Sequence, residues 1–549
     1  FLARALAEGV GSQDPAVRQL IAGLSAAASE AAKKESLIAE PDEDELWWYM
    51  SDSMRTSAIV LDTLVELDPK NAAIKPLVLA IMSAPLPAHA QAPDQTLIYN
   101  RDGVSVRWHF QAGVNLVGEQ NLFWDLDETF APTADYDADT VWLEGYIKPG
   151  ISFEKAITPG EVFYGKASAV LSGTLGTDAY DTGDTGRLTL EDAYLGYRVE
   201  RADGFRLDLS AGRRPLKLGS GMLIENGGSS GFERGALKFG PRKAWERAAI
   251  AEFGFAGVTS RTFYLDPNET EANDSFNTLA GTDLRWDGKT GGFAGITYAH
   301  VLTSEAPYPK AAPGGIGIPI VIPDARKGLN AINFYARTDE LPGNLRGLFF
   351  TTDLAYEWND DIDLRAWAGR GQVGYTFMRH AWRPMVMYSY QTFSGDDPNT
   401  SRLERFDPLF FEGSPSAWAT GSKSSFTFIN SNVNAHQLTF RFSPTQQDTF
   451  TLRYAHIRAN ELRSPIQFGQ STRFDVTTGE GVVAGVTDPH LADDVFLEYM
   501  RVINPNTFLT AGVSASFPGA GLDGTVRGTL AGGDLPVWLG GFVNIVVNY

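Results

Sequence analysis

Hydrophobic and polar positions alternate strictly along Val104 to Val114. Val104, Val106, Trp108, Phe110, Ala112 and Val114 share one face, and Ser105, Arg107, His109, Gln111 and Gly113 share the other. A period of two with one apolar face is a β-strand signature. The same period runs to the last residue. Val537, Leu539, Gly541, Val543, Ile545, Val547 and Tyr549 alternate with Trp538, Gly540, Phe542, Asn544, Val546 and Asn548. A soluble sandwich strand also alternates, but a chain ending inside a strand on an aromatic residue predicts an outer-membrane barrel whose last strand closes on its first. Val543, Ile545 and Val547 are expected to face lipid, and Asn544 and Asn548 the lumen.

Between these two segments lie further alternating runs, twenty in all from Val104 to Tyr549. Ser424–Ile429 and Thr525–Ala531 are the shortest candidates beside Ser260–Asp266 and Gly281–Asp287. Barrels of this class have an even strand number, and at about 25 residues per strand and loop the chain predicts about 18, with 16 or 20 as alternatives. The fold class expected is all-β: a transmembrane antiparallel β-barrel with a short α-helical N-terminal segment. Long Asp/Pro/Gly-rich segments interrupt the strands at 124–139, 219–245, 303–327, 394–423 and 464–493. Their length predicts surface loops or segments folded into the lumen.

Residues 1–86 read differently. They are Ala/Leu-rich at helical spacing, pass through the acidic run Pro41 to Glu45, and resume as a helix that stops at Asp68-Pro69. Ser53 to Asn71 is similar to the helical toroid of bacterial α2-macroglobulins, without a thioester cysteine. Residues 87–95 form a linker or a processing region. Lys75, the apolar run Leu77 to Met82 and Ala88-His89-Ala90 have the order of a secretory signal peptide, and a packed helix with a Pro/Ala linker is the other reading. The barrel domain is expected over 96–549.

Composition narrows the function classes. The chain has no cysteine, which excludes disulfides and thiolate chemistry. A formal net charge of -21 disfavours nucleic acid as a partner. Residues 91–549 still hold 29 arginines among 39 basic residues, against 54 acidic ones. Arginine at a bilayer midplane costs about 2–4 kcal/mol, so strand phase assigns it to the lumen. On this basis Arg107, Arg206, Arg214, Arg285, Arg337, Arg365, Arg441 and Arg453 are the expected solute-pathway residues, sharing their face with Glu144, Lys148, Asp208, Asp283 and Asp363. For β-strand residues 364–366 this phase puts Leu364 and Ala366 outward. Two readings are open: a basic ladder for an anionic solute, or arginines paired with carboxylates across a polar interior. The basic segment Phe232 to Arg247 is read either as folding toward the pore or as a solvated turn.

Tyr388-Ser389-Tyr390-Gln391-Thr392-Phe393-Ser394-Gly395-Asp396 is followed by Arg405-Phe406-Asp407-Pro408-Leu409-Phe410, and upstream stands Gly212-Arg213-Arg214-Pro215-Leu216-Lys217-Leu218-Gly219-Ser220-Gly221. Together these stretches resemble the alginate-export family of outer-membrane barrels, which has a strand ending in S-G-D and then a loop with F-D-P-L-F/Y. The resemblance implies a monomeric 18-stranded channel, a polyuronate or other anionic saccharide as solute, and an arginine-rich pore. It also implies residence in the Gram-negative outer membrane among lipids and lipopolysaccharide, with a periplasmic or surface protein as a further partner. The excess of acidic residues after Gln91 leaves the sign of selectivity open. A plugged barrel whose extracellular loops hold a surface component is the rival reading. Asp396, Asp397 and Asp407 lack the spacing of a calcium loop. No catalytic constellation, metal site or cofactor is expected, since His109, His380, His436, His456 and His490 lie on separate strands or loops.

Overall fold

The computed structural model describes residues 96–549, apart from 127–136, 272–273, 289, 339–340, 412–417, 419, 421–427, 468–481, 484 and 528–533. The helical reading of 1–86 and the processing region 87–95 therefore lie outside the described residues.

Eighteen strands close into one antiparallel ring. In chain order they are β1 Val104–Gln120, β2 Thr140–Thr158, β3 Glu161–Thr177, β4 Gly183–Glu200, β5 Arg206–Pro215 and β6 Ala244–Phe255. There follow β7 Val258–Asp266, β8 Thr278–Asp287, β9 Phe293–Thr303, β10 Asn330–Arg337, β11 Leu348–Asn359 and β12 Leu364–Thr376. The ring ends with β13 Met385–Phe393, β14 Val433–Phe442, β15 Asp448–Ala459, β16 His490–Asn504, β17 Thr507–Pro518 and β18 Trp538–Asn548. One extra strand, Leu97–Arg101, pairs with β1 beside the ring. Of the twenty sequence candidates, Thr525–Ala531 begins inside a short helix, Ala520–Arg527, and most of Ser424–Ile429 lies outside the described residues.

Closure occurs between the two segments of strictest alternation. β1 takes β2 on one side and β18 on the other, with Val114 opposite Ile545 and Asn115 opposite Asn544. The Tyr549 amide donates to the Phe110 carbonyl at 2.7 Å, the Phe110 amide donates back at 2.8 Å, and Tyr549 stacks on Trp108 at 6.1 Å. Every ladder group of a membrane strand needs a partner because hydrocarbon offers none, and this junction removes the last open edge. The outward faces carry Leu116, Ile147, Leu209, Leu354, Leu438 and Val543, all exposed. So broad an apolar belt is stable only against lipid. Among the described residues, no helix is long and apolar enough to cross a membrane.

The two ends differ. Connections such as Pro159–Gly160 between β2 and β3, Ala256–Gly257 between β6 and β7, and Pro505–Asn506 between β16 and β17 are tight turns; Ala256 and Gly257 both have left-handed φ, 52° and 81°, the conformation a two-residue hairpin turn demands. All five long segments emerge at the other end. Short turns mark the periplasmic side and long loops the extracellular side, so Tyr549 lies at the periplasmic rim.

Candidate functional site

The periplasmic half of the inner wall is lined with charged side chains. Arg206 and Glu200, at the periplasmic ends of β5 and β4, have inward phase and are 46% and 38% exposed. On the β2–β8 arc, arginines meet carboxylates. Arg198 pairs with Glu154 at 3.3 Å and Arg206 with Glu200, Asp208 and Glu252 at 3.6–3.9 Å. Arg261 pairs with Glu252 at 2.5 Å and Arg285 with Asp287 at 2.7 Å. Higher on the same arc Arg214 bonds Ser210 and lies over the Tyr194 ring. The opposite arc differs: Arg337 lies 5.2 Å over Phe349, and Arg453 lies 5.7 Å over Phe496 with Asp494 and Glu498 in its field. Arg441 is exposed inside the lumen beside β13, and Arg107 bonds Ser105 at 3.2 Å on β1.

The extracellular half is filled by loops. The segment between β5 and β6, 216–243, folds across the lumen: Ser220 bonds Asp353 of β11, and residues 238–239 seat on β1 and β2, about half the ring away. Lys238 is buried against Glu119 of β1 and over Trp142 of β2, and its amide donates to Glu144 at 3.1 Å. Phe239 packs on Tyr146 at 5.3 Å and fills the space in front of Gly113, where a Cβ would lie 2.4 Å from the ring. The 231–242 stretch is tied to the loop between β7 and β8 by buried Arg234, which donates to the carbonyls of Asn268 and Glu269, and to that of Ser229 in its own segment, at 2.9–3.1 Å. Arg242 reaches Thr189 at 2.9 Å; burial, then the Arg234 charge, pushes its guanidinium down to about 10. These contacts fix the basic segment inside the barrel.

Two further loop clusters occupy the extracellular half, and the second of them is bonded to this strap. At Ser394-Gly395-Asp396 the buried Asp396 carboxylate accepts the Ala311 amide at 2.6 Å and the Glu404 amide at 2.8 Å, while its own amide donates to Ser464 at 3.0 Å. Burial raises the Asp396 pKa, and the two amide bonds oppose that rise. A Cβ on Gly395 would meet the Asn432 side-chain oxygen at 2.0 Å, so only glycine fits. At Phe406 to Phe410, Asp407 forms a two-point ion pair with Arg326 at 2.7 and 2.8 Å, and the Asp407 amide donates to Glu357 of β11 at 2.9 Å. Burial alone would lower the Arg326 pKa, but Asp407 outweighs it and the guanidinium is held more firmly protonated. The Phe410 amide then donates to the Leu223 carbonyl at 2.9 Å, joining this loop to the strap.

Residues 337–488 match the family described as Alginate export. The match spans both motifs and bears out the resemblance over that stretch. No curated protein matches the chain. Solved structures similar to it include Pseudomonas aeruginosa OccK5 (OpdH), 10% identical over 80% of this chain and 98% of that one with a TM-score of 0.45. Pseudomonas aeruginosa OccK2 (OpdF) in complex with glucuronate is 10% identical over 83% and 99%, TM-score 0.43. Pseudomonas putida OprB is 10% identical over 81% and 94%, TM-score 0.40. With its closed ring, lipid-facing belt and alginate-export match, the chain is a channel-type barrel of the Gram-negative outer membrane.

In this chain the alginate-export motifs are loop clasps. S-G-D joins the loops after β9, β13 and β15, and F-D-P-L-F ties the strap to the wall. One pathway expectation is corrected. Arg365 stands on the outward face at the extracellular rim, paired with Asp360 at 2.6 Å and opposite Trp358, while Leu364 and Ala366 are buried inside. The interior at that height is packed with loops, so inward residues are apolar too and alternation loses its sign. The same reversal hides Arg370, which points inward, 3.2 Å from Asp353 and 3.5 Å above the Trp418 ring. Trp367, 47% exposed between them, carries the signal that sets the phase. Asp363 likewise leaves the lumen and pairs with Arg402 at 3.4 Å.

Proposed function

We propose that the barrel conducts an anionic saccharide or a related anionic solute passively across the outer membrane. The observation that carries this reading is the asymmetry of the charged inner wall. Its β2–β8 arc sets most arginines at ion-pair distance from carboxylates, whereas on the opposite arc Arg337 rests on the Phe349 ring with a second cation, Arg441, as its charged neighbour. A guanidinium on a ring keeps its charge and its fork of donors, the geometry that suits carboxylates. The Phe349 ring beside Arg337 is partly exposed and offers a flat surface for a sugar face.

Planar-bilayer reversal potentials in a salt gradient test this directly. Anion preference is expected for the native chain, with a several-fold drop in the anion-to-cation permeability ratio for the Arg337→Ala, Arg441→Ala double variant. A cation-preferring native pore, or a ratio unmoved by the double variant, would overturn it. The plugged reading also has an observation in its favour: loops and wall share one apolar core in the extracellular half, with Trp124, Phe406, Trp418 and Trp538 fully buried. Absence of any single-channel step in the native chain would decide for the plug.

A further inference from the structure

We infer that His456, His490 and Asp493 form a divalent metal site on the outer wall of the barrel, selective for a borderline ion of the Zn²⁺ type. Nothing in the channel reading requires it. His456 lies on the outward face of β15, two residues beyond Tyr454, and stands opposite Asp493 of β16 in the ladder. His490 is three residues before Asp493, and in an unbroken strand an odd separation puts two side chains on opposite faces. The ladder is broken there: Ile457 pairs with Ala492 and Arg458 with His490, leaving Leu491 as an extra residue. Such a bulge re-aims the neighbouring side chain. Leu491 and Ala492 are both fully buried, and His490 turns outward beside Asp493.

Three ligand atoms converge as a result. His456 Nδ1 lies 2.9 Å from Asp493 Oδ1, His490 Nε2 lies 2.9 Å from Asp493 Oδ2, and all three donor atoms fall within 4.8 Å of one another. The imidazoles face each other, centroids 4.8 Å apart. Ligands of a tetrahedral Zn²⁺ at about 2.0–2.2 Å stand roughly 3.3 Å from one another, so a small opening of the trio admits the ion. Two imidazoles and one carboxylate suit zinc, nickel or copper over calcium or magnesium. The Tyr454 hydroxyl donates to Asp493 Oδ1 at 2.6 Å and holds the carboxylate in place, the supporting bond typical of metal sites. Each ligand side chain is about one-third exposed, so a fourth position is open to water or to a headgroup oxygen. On this wall, the loop end of β15 and β16 meets the extracellular leaflet.

The test uses the detergent-solubilised full chain with Zn²⁺, and Co²⁺ as an absorbing probe. Native protein is expected to bind one ion near neutral pH, raise its thermal unfolding midpoint, and give the visible bands of four-coordinate Co²⁺. Binding is expected to weaken as pH falls and the imidazoles protonate. His490→Ala and Asp493→Asn should each lose at least about 100-fold in affinity, and Tyr454→Phe roughly 10-fold. His380→Ala, in the turn between β12 and β13 at the periplasmic end of the barrel, should bind like the native chain. Heat-modifiable migration of each variant without metal reports folding separately from binding. Equal binding by native protein and His490→Ala, or Co²⁺ spectra that stay octahedral, would overturn the site.

Discussion

Asp407→Ala is expected to release the extracellular loops while leaving the barrel folded. Arg326 and Asp407 are each almost fully buried and meet through two parallel hydrogen bonds. Removing one partner of such a pair leaves a charge in a site built for its opposite, at a cost of about 3–5 kcal/mol. The Leu409 amide, which donates to Asp407 at 2.9 Å, loses its acceptor as well. None of these groups belongs to a strand ladder, so the folded, heat-modifiable band should persist. What should change is loop opening: amide exchange across 403–411 and 220–226 should accelerate by about a hundredfold or more, and single-channel records should become noisier and larger in amplitude. Exchange rates within a few-fold of native would show that the clasp does not hold the strap. Asp407→Asn keeps shape and one acceptor, and should fall between the two.

Ile545→Arg is expected to destabilise the barrel by about 2–4 kcal/mol, and Asn544→Arg far less. Ile545 is exposed on the lipid side, four residues above the rim residue Tyr549 and so about 10 Å into the apolar band. Asn544 is its inward neighbour, opposite Asn115 on one side and Thr510 on the other. A guanidinium at 545 must stay in hydrocarbon or drag water to it, whereas at 544 it enters a polar lumen. Urea titrations of the two variants in lipid vesicles, followed by heat-modifiable migration, compare them directly. Equal destabilisation would contradict the inward and outward assignment of β18.

The ladder that these two substitutions probe was legible in the chain because a strand half in lipid and half in water writes its environment into every second residue. Val104 to Val114 and Val537 to Tyr549 could be assigned as closing strands for that reason alone, and long loops could be told from tight turns by length and by Gly, Pro and Asp. The S-G-D and F-D-P-L-F stretches were recognisable as motifs, but their role as clasps was not, because the partners are distant in sequence: Ala311 and Arg326 in the loop after β9, Glu357 on β11 and Ser464 in the loop after β15.

Phase failed where a third environment entered. At Arg365 the inner face is covered by protein, so Leu364 and Ala366 look lipid-facing in sequence and are loop-facing in space; the same cause hid Arg370. His490 and Asp493 differ by an odd number of residues, and only the bulge at Leu491 turns them to one side. Local alternation therefore determined which segments span the membrane, which residues line the periplasmic half and where the ring closes. Tertiary packing alone decided that 216–243 crosses the lumen, which charges are balanced and which histidines meet, because those outcomes depend on contacts between segments distant in sequence and on a break in the β15–β16 ladder, neither of which the local pattern records.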